Sequence, residues 1–193
     1  HFASTGTRPL AAETVLQFRD LAEQPLLLFL LALYDSAHND LHRLSAQQLD
    51  SAGVYERLLE EFARRELLKE PDSTDLARRV EGELLRLSIV AFAMFNRGEQ
   101  WIDDVSLSTD LKALRPNAPD RPRAGLRTPL SSGEVAIGRF FFVHKSQTTH
   151  GGAKAHTYEF LHATFSEYLI ARLVNRLLSE LVAQHDALRN AVS

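Results

Sequence analysis

Apolar side chains recur every three or four residues along most of this chain, the period of a helix with one buried face. Val15, Phe18, Leu21 and Ala22 open the series and predict helix over 13–34. Pro25 interrupts it. Proline lacks an N–H and clashes with the preceding turn, so it either kinks that helix or occupies the first turn of a new one. From Leu26 to Leu33 no polar residue intervenes, which predicts burial on every side.

Ser45 and Gln48 have capping-box spacing and predict a short helix. Residues 52–69 form an amphipathic helix, with Leu58, Leu59, Phe62 and Leu67 inside and Glu60, Glu61, Arg64 and Arg65 outside; Pro71 and Asp72 stop it. Leu76, Val80, Leu84, Leu87, Ala91 and Phe95 predict a long helix over 74–96, with Gly98 as its C-terminal cap. Trp101, expected as a core or hinge aromatic, begins a new segment, and 106–114 reads as a short helix.

Four of the chain's seven prolines fall between Arg115 and Pro129, which predicts a surface loop. A short helix is expected over 132–137. The period then changes. Arg139 to Gln147 is rich in β-formers, Gly151-Gly152 is a turn signal, and Ala155 to Phe160 returns with Tyr158 and Phe160 on one face. This hairpin opens into a last helix over 164–183, with Thr164 and Glu167 at capping-box spacing and Phe165, Leu169, Leu173 and Leu177 as its apolar stripe.

The expected fold is therefore mainly α. A helical domain over 1–71 is followed, across a boundary near Pro71, by a winged-helix domain over 72–193 with a two-stranded β-hairpin and a C-terminal helix.

Composition narrows the function. Hydrophobic residues are 45% of the 193, enough for a buried core, and charged residues are 24%. The net charge of −3 argues against a dedicated nucleic-acid binder, which is usually basic. Cysteine is absent, which excludes disulfides and thiolate metal sites and fits a reducing, cytoplasmic setting. The longest apolar run, Pro25 to Tyr34, is about half what a bilayer needs, so no membrane segment is expected. The stretch from His1 lacks the basic start and apolar core of a secretory signal.

Catalytic signatures are missing. No G-x-x-x-x-G-K-[ST] loop, G-x-S-x-G elbow or H-E-x-x-H helix occurs, so neither catalytic nor metal-ligating residues are expected. The adjacent carboxylates Asp103 and Asp104 read as a helix cap rather than an acid–base pair.

The most informative stretch is Tyr158 to Arg172, Y-E-F-L-H-A-T-F-S-E-Y-L-I-A-R. Phe160, His162, Thr164, Phe165, Glu167, Tyr168 and Ala171 resemble the end of the winged-helix domain in NACHT-type signal-transduction ATPases, the STAND class that includes NLR immune receptors. Leu21 to Leu33, with Pro25 ahead of an apolar run, resembles that class's first helical domain. Together the likenesses span about residues 13–180.

The resemblance implies a regulatory, nucleotide-sensing part of a switch protein, with no enzyme activity by itself. Its partner would be the P-loop nucleotide-binding domain of the same parent chain, preceding His1, and assembly into a homo-oligomer on activation is implied. The ligand is ADP or ATP, bound only together with that core. His162 would reach the β-phosphate of ADP and hold the closed state; Pro25 would pack against the adenine; exchange for ATP would release both. A role in defence or signalling follows from the class.

From the residues alone His162 reads equally as a helix cap or as packing beneath the wing, and Pro25 as a plain kink. Two other functions stay open. Five basic residues between Lys112 and Arg127 would suit phosphate contacts in a DNA-binding winged-helix regulator. A helical interaction scaffold would need no ligand.

Overall fold

A computed structural model describes residues 12–16, 18–38, 41, 50–69, 75–114, 143–150 and 153–192. The chain divides into two compact units, His1–Asp72 and Ser73–Ser193. Pro71, the expected Ser45 helix, the proline-rich loop, the helix over 132–137 and the start of the first hairpin strand lie outside the described residues. Among the described residues the chain is mainly helical with one small three-stranded antiparallel sheet.

The first unit holds α1 (Ala12–Leu16), α2 (Arg19–Ala22), α3 (Pro25–His38) and α4 (Ser51–Leu67). Of the two roles open to Pro25, it takes the second, as the first residue of α3. There its missing N–H has no partner to lose. Leu27, Leu30 and Leu31 turn inward at helical spacing and are buried, whereas Leu28 is 42% and Phe29 54% exposed. The expectation that this apolar run is buried all round is thus corrected. Only one face of α3 meets the core, and the residues between its inward positions point away from it.

Asp35, fully buried, accepts the amide N–H of Leu41 at 3.2 Å, which satisfies a carboxylate inside the unit. In α4, Asp50 caps the first turn by accepting the Gly53 N–H at 2.8 Å. Leu58, Leu59, Phe62 and Leu67 form its buried face as the periodicity predicts.

The second unit is built on α5 (Leu76–Arg97), which Asp75 caps by accepting the Arg78 N–H at 3.2 Å. Gly98 ends α5 at φ +70°, where a Cβ would be strained, while the Glu99 amide turns back to the Met94 carbonyl at 3.1 Å. The chain then enters β1 (Trp101–Asp103) and α6 (Asp104–Leu114), returns as β2 (Val143–His150) and β3 (Ala153–Phe160), and finishes in α7 (Ala163–Val192).

The sheet order is β1-β3-β2. The expected two-stranded hairpin is therefore corrected to three strands: Trp101, Ile102 and Asp103 pair with Glu159, Tyr158 and Thr157. Trp101, read from sequence as a core or hinge aromatic, lies on this edge strand and is 46% exposed, while its neighbour Ile102 is buried. Alternation along a strand places them on opposite faces. Ser146 and Thr157, opposite each other in the hairpin, join hydroxyls at 2.6 Å.

Asp103 caps α6, as read from the sequence. Its carboxylate accepts the Ser106 N–H at 2.8 Å and the Ser106 hydroxyl at 2.6 Å. Burial pushes this carboxyl up, yet the Ser106 hydroxyl and the surrounding amides outweigh it and hold Asp103 below the usual carboxylate value.

Two cross-links bind α5 to its neighbours. Arg97 forks onto both oxygens of Asp110 in α6, at 2.6 and 3.1 Å. Glu81 receives Arg172 at 2.5 Å and Arg176 at 2.6 Å, both from α7. The core of this unit gathers Leu84, Leu87, Met94, Leu107, Tyr158 and Phe165, all essentially inaccessible. Among the described residues no helix is long and apolar enough to cross a membrane.

Candidate functional site

Beyond Phe160 only Leu161 and His162 separate β3 from α7, which begins at Ala163. His162 therefore occupies the position just ahead of the helix, where the first N–H groups have no acceptor within the helix. Its carbonyl accepts the Phe165 N–H at 3.2 Å. Its ring Nδ1 lies 3.3 Å from the Thr164 amide nitrogen, which donates to it, and 2.8 Å from the Thr164 hydroxyl. The side chain thus caps α7 as an Asn or Ser would.

The predicted capping box of Thr164 and Glu167 is corrected accordingly. Thr164 is already the second helical residue, and the cap is the imidazole two positions before it. Glu167 is exposed. Thr164 reads from the sequence as a cap and as one residue of the resemblance; its contact with His162 is what the sequence did not reveal, although a His two residues before a Thr at a helix start is a legible signal.

The cap has a chemical consequence. A backbone amide can only donate, so Nδ1 must carry a free lone pair. In the neutral ring the proton then resides on Nε2, which makes no hydrogen bond among the described residues. The ring is half-buried rather than sealed in apolar packing. It presents an N–H donor at the positive end of a thirty-residue helix, where the macrodipole favours an anion. Nitrogen-15 shifts of the His162 ring should show the Nε2–H tautomer at neutral pH; a bare Nε2 with protonated Nδ1 would refute the assignment.

Pro25 belongs to the first unit and is exposed. One turn on, Leu28 and Phe29 are also exposed, so the start of α3 offers a small apolar shelf. Immediately before it, Gln24 keeps its side-chain oxygen buried and, among the described residues, without a hydrogen-bond partner. An acceptor in that condition costs stability unless something supplies a donor. Sequence reasoning missed Gln24, Leu28 and Phe29, since exposure within an apolar run carries no pattern of its own.

Taken separately, the second unit offers an N–H donor at a helix tip, and the first unit an exposed apolar shelf at the start of α3. Comparison with protein-family models, curated proteins and solved structures returns no match.

Proposed function

We propose that this chain is the regulatory, nucleotide-sensing part of a NACHT-type STAND switch, with a helical domain and a winged-helix domain that close on a nucleotide held by a P-loop core of the same parent protein. The observation that carries the reading is His162: a half-buried imidazole, capped so that Nε2–H points away from its own helix. The element order supports the winged-helix part, with a long helix, a short strand, a helix and a hairpin, and the short strand zipped onto the returning strand of the hairpin.

In this reading His162 donates to a phosphate oxygen of ADP, and Pro25 with its apolar neighbours faces the adenine. The nucleotide supplies the charge and the bridge; the chain supplies the donor and the shelf. Switching requires that these contacts differ between the ADP and ATP states, since a ligand that binds both conformations equally shifts neither. The module works in the cytoplasm, and the parent assembles into a homo-oligomer once the closed state is released. It performs no chemistry alone.

Substitution at His162 separates this role from simple capping. Serine keeps the cap and removes the Nε2 donor; alanine removes both. In the parent polypeptide, His162→Ser and His162→Ala should each weaken ADP retention about ten- to a hundredfold, the worth of one hydrogen bond to a charged group. Basal assembly should rise in parallel. Normal ADP retention in the serine variant would remove the nucleotide role and leave a cap in a ligand-free scaffold.

A further inference from the structure

The last helix carries two apolar faces. Phe165, Leu169 and Leu173 lie on one and are buried within the second unit. The other starts at Val174 and continues through Leu177, Leu178, Leu181, Val182 and Leu188, each between 46% and 68% exposed. At 3.6 residues per turn, Leu181 stands about 120° round the helix from Leu169, so the second face does not extend the first. Leu177, expected from its spacing to continue the buried stripe, belongs to this outer face.

The outer face is large for a surface left to water. Its six large apolar side chains lie along a single helix rather than scattered singly over the surface, the arrangement that marks an interaction site. From Leu177 to Ala191 every residue is exposed, so this stretch of helix buries no side chain of its own. A helix of that length is marginal in water on its own.

We propose that this face pairs α7 with α7 of a second copy of the chain, side by side, parallel and in register. The spacing favours it. Val174, Leu177, Leu181, Gln184, Leu188 and Ala191 alternate steps of three and four, the seam of a two-stranded coiled coil. In register, Gln184 meets its own equivalent, and two side-chain amides bond to one another; a polar residue inside such a seam selects alignment.

The flanks complement each other as well. Glu180, which Arg176 holds at 2.8 Å, precedes His185 by the interval that places it beside that imidazole on the second helix. Arg172, Asp186 and Arg189 fall outside the seam, and no like charges are opposed across it. The pairing is independent of any nucleotide.

The test uses the 193-residue chain. Sedimentation velocity across a dilution series should give twice the chain mass, and Leu177→Glu with Leu181→Glu should return it to one chain. Because the chain has no cysteine, Gln184→Cys should cross-link to a covalent dimer under mild oxidation, while Asn175→Cys, off the seam, should not. A wild-type monomer at all concentrations overturns the proposal. So does a dimer that survives both glutamates, or one in which only Asn175→Cys cross-links, since another surface or another alignment then holds the copies together.

Discussion

Arg86→Ala is expected to destabilise the second unit by about 3–5 kcal/mol, the usual result of stripping one partner from a buried ion pair. Arg86 meets Glu83 at 2.5 Å within α5, and their side chains are only 12% and 4% exposed. Among the described residues the second oxygen of Glu83 has no hydrogen-bond partner, so Arg86 is the group that compensates the carboxylate there. Urea unfolding followed by helix circular dichroism measures the loss. Glu83→Gln combined with Arg86→Met should recover most of it, because a neutral pair carries far less desolvation penalty. A loss below about 1 kcal/mol in the single variant would mean that water reaches Glu83 in solution.

Phe165→Ala is expected to be of similar size, about 3–5 kcal/mol, for a different reason. The ring is 1% exposed in the first turn of α7, and truncation removes its burial and leaves a cavity. Leu177→Ala, at 49% exposure in the same apolar series, should cost well under 1 kcal/mol in a monomeric preparation. Equal losses at the two positions would show that α7 is covered along its whole length.

The contrast between Phe165 and Leu177 also shows how far the sequence could be read. Periodicity located α4 and α5 to within a few residues, and Gly98 announces the end of α5 chemically, whereas the N-terminal caps Asp50 and Asp75 emerge only from the structure. Periodicity could not say where a helix runs out of neighbours: Phe165, Leu169, Leu173 and Leu177 look equivalent, and only the first three are buried. The end of α7 was placed too early, at Ala183. The polar run Gln184, His185, Asp186 resembles a boundary, but without Gly or Pro nothing there breaks a helix, and it continues to Val192.

β1 escaped notice for another reason. Three residues are too few to show alternation, and their partner β3 lies far along the chain, so the pairing is a long-range fact. At the candidate site, the location of His162 ahead of a helix was readable. The direction of its ring was not, because that depends on a 2.8 Å contact with Thr164 set by the turn itself.

The strand that delivers His162 is bonded along both edges, to β1 on one side and β2 on the other. Such a strand cannot slide without breaking two ladders together. The imidazole is therefore mounted like a peg on a fixed frame, with the last helix rooted in the same block. Any displacement of the imidazole must carry peg, frame and the root of the helix together.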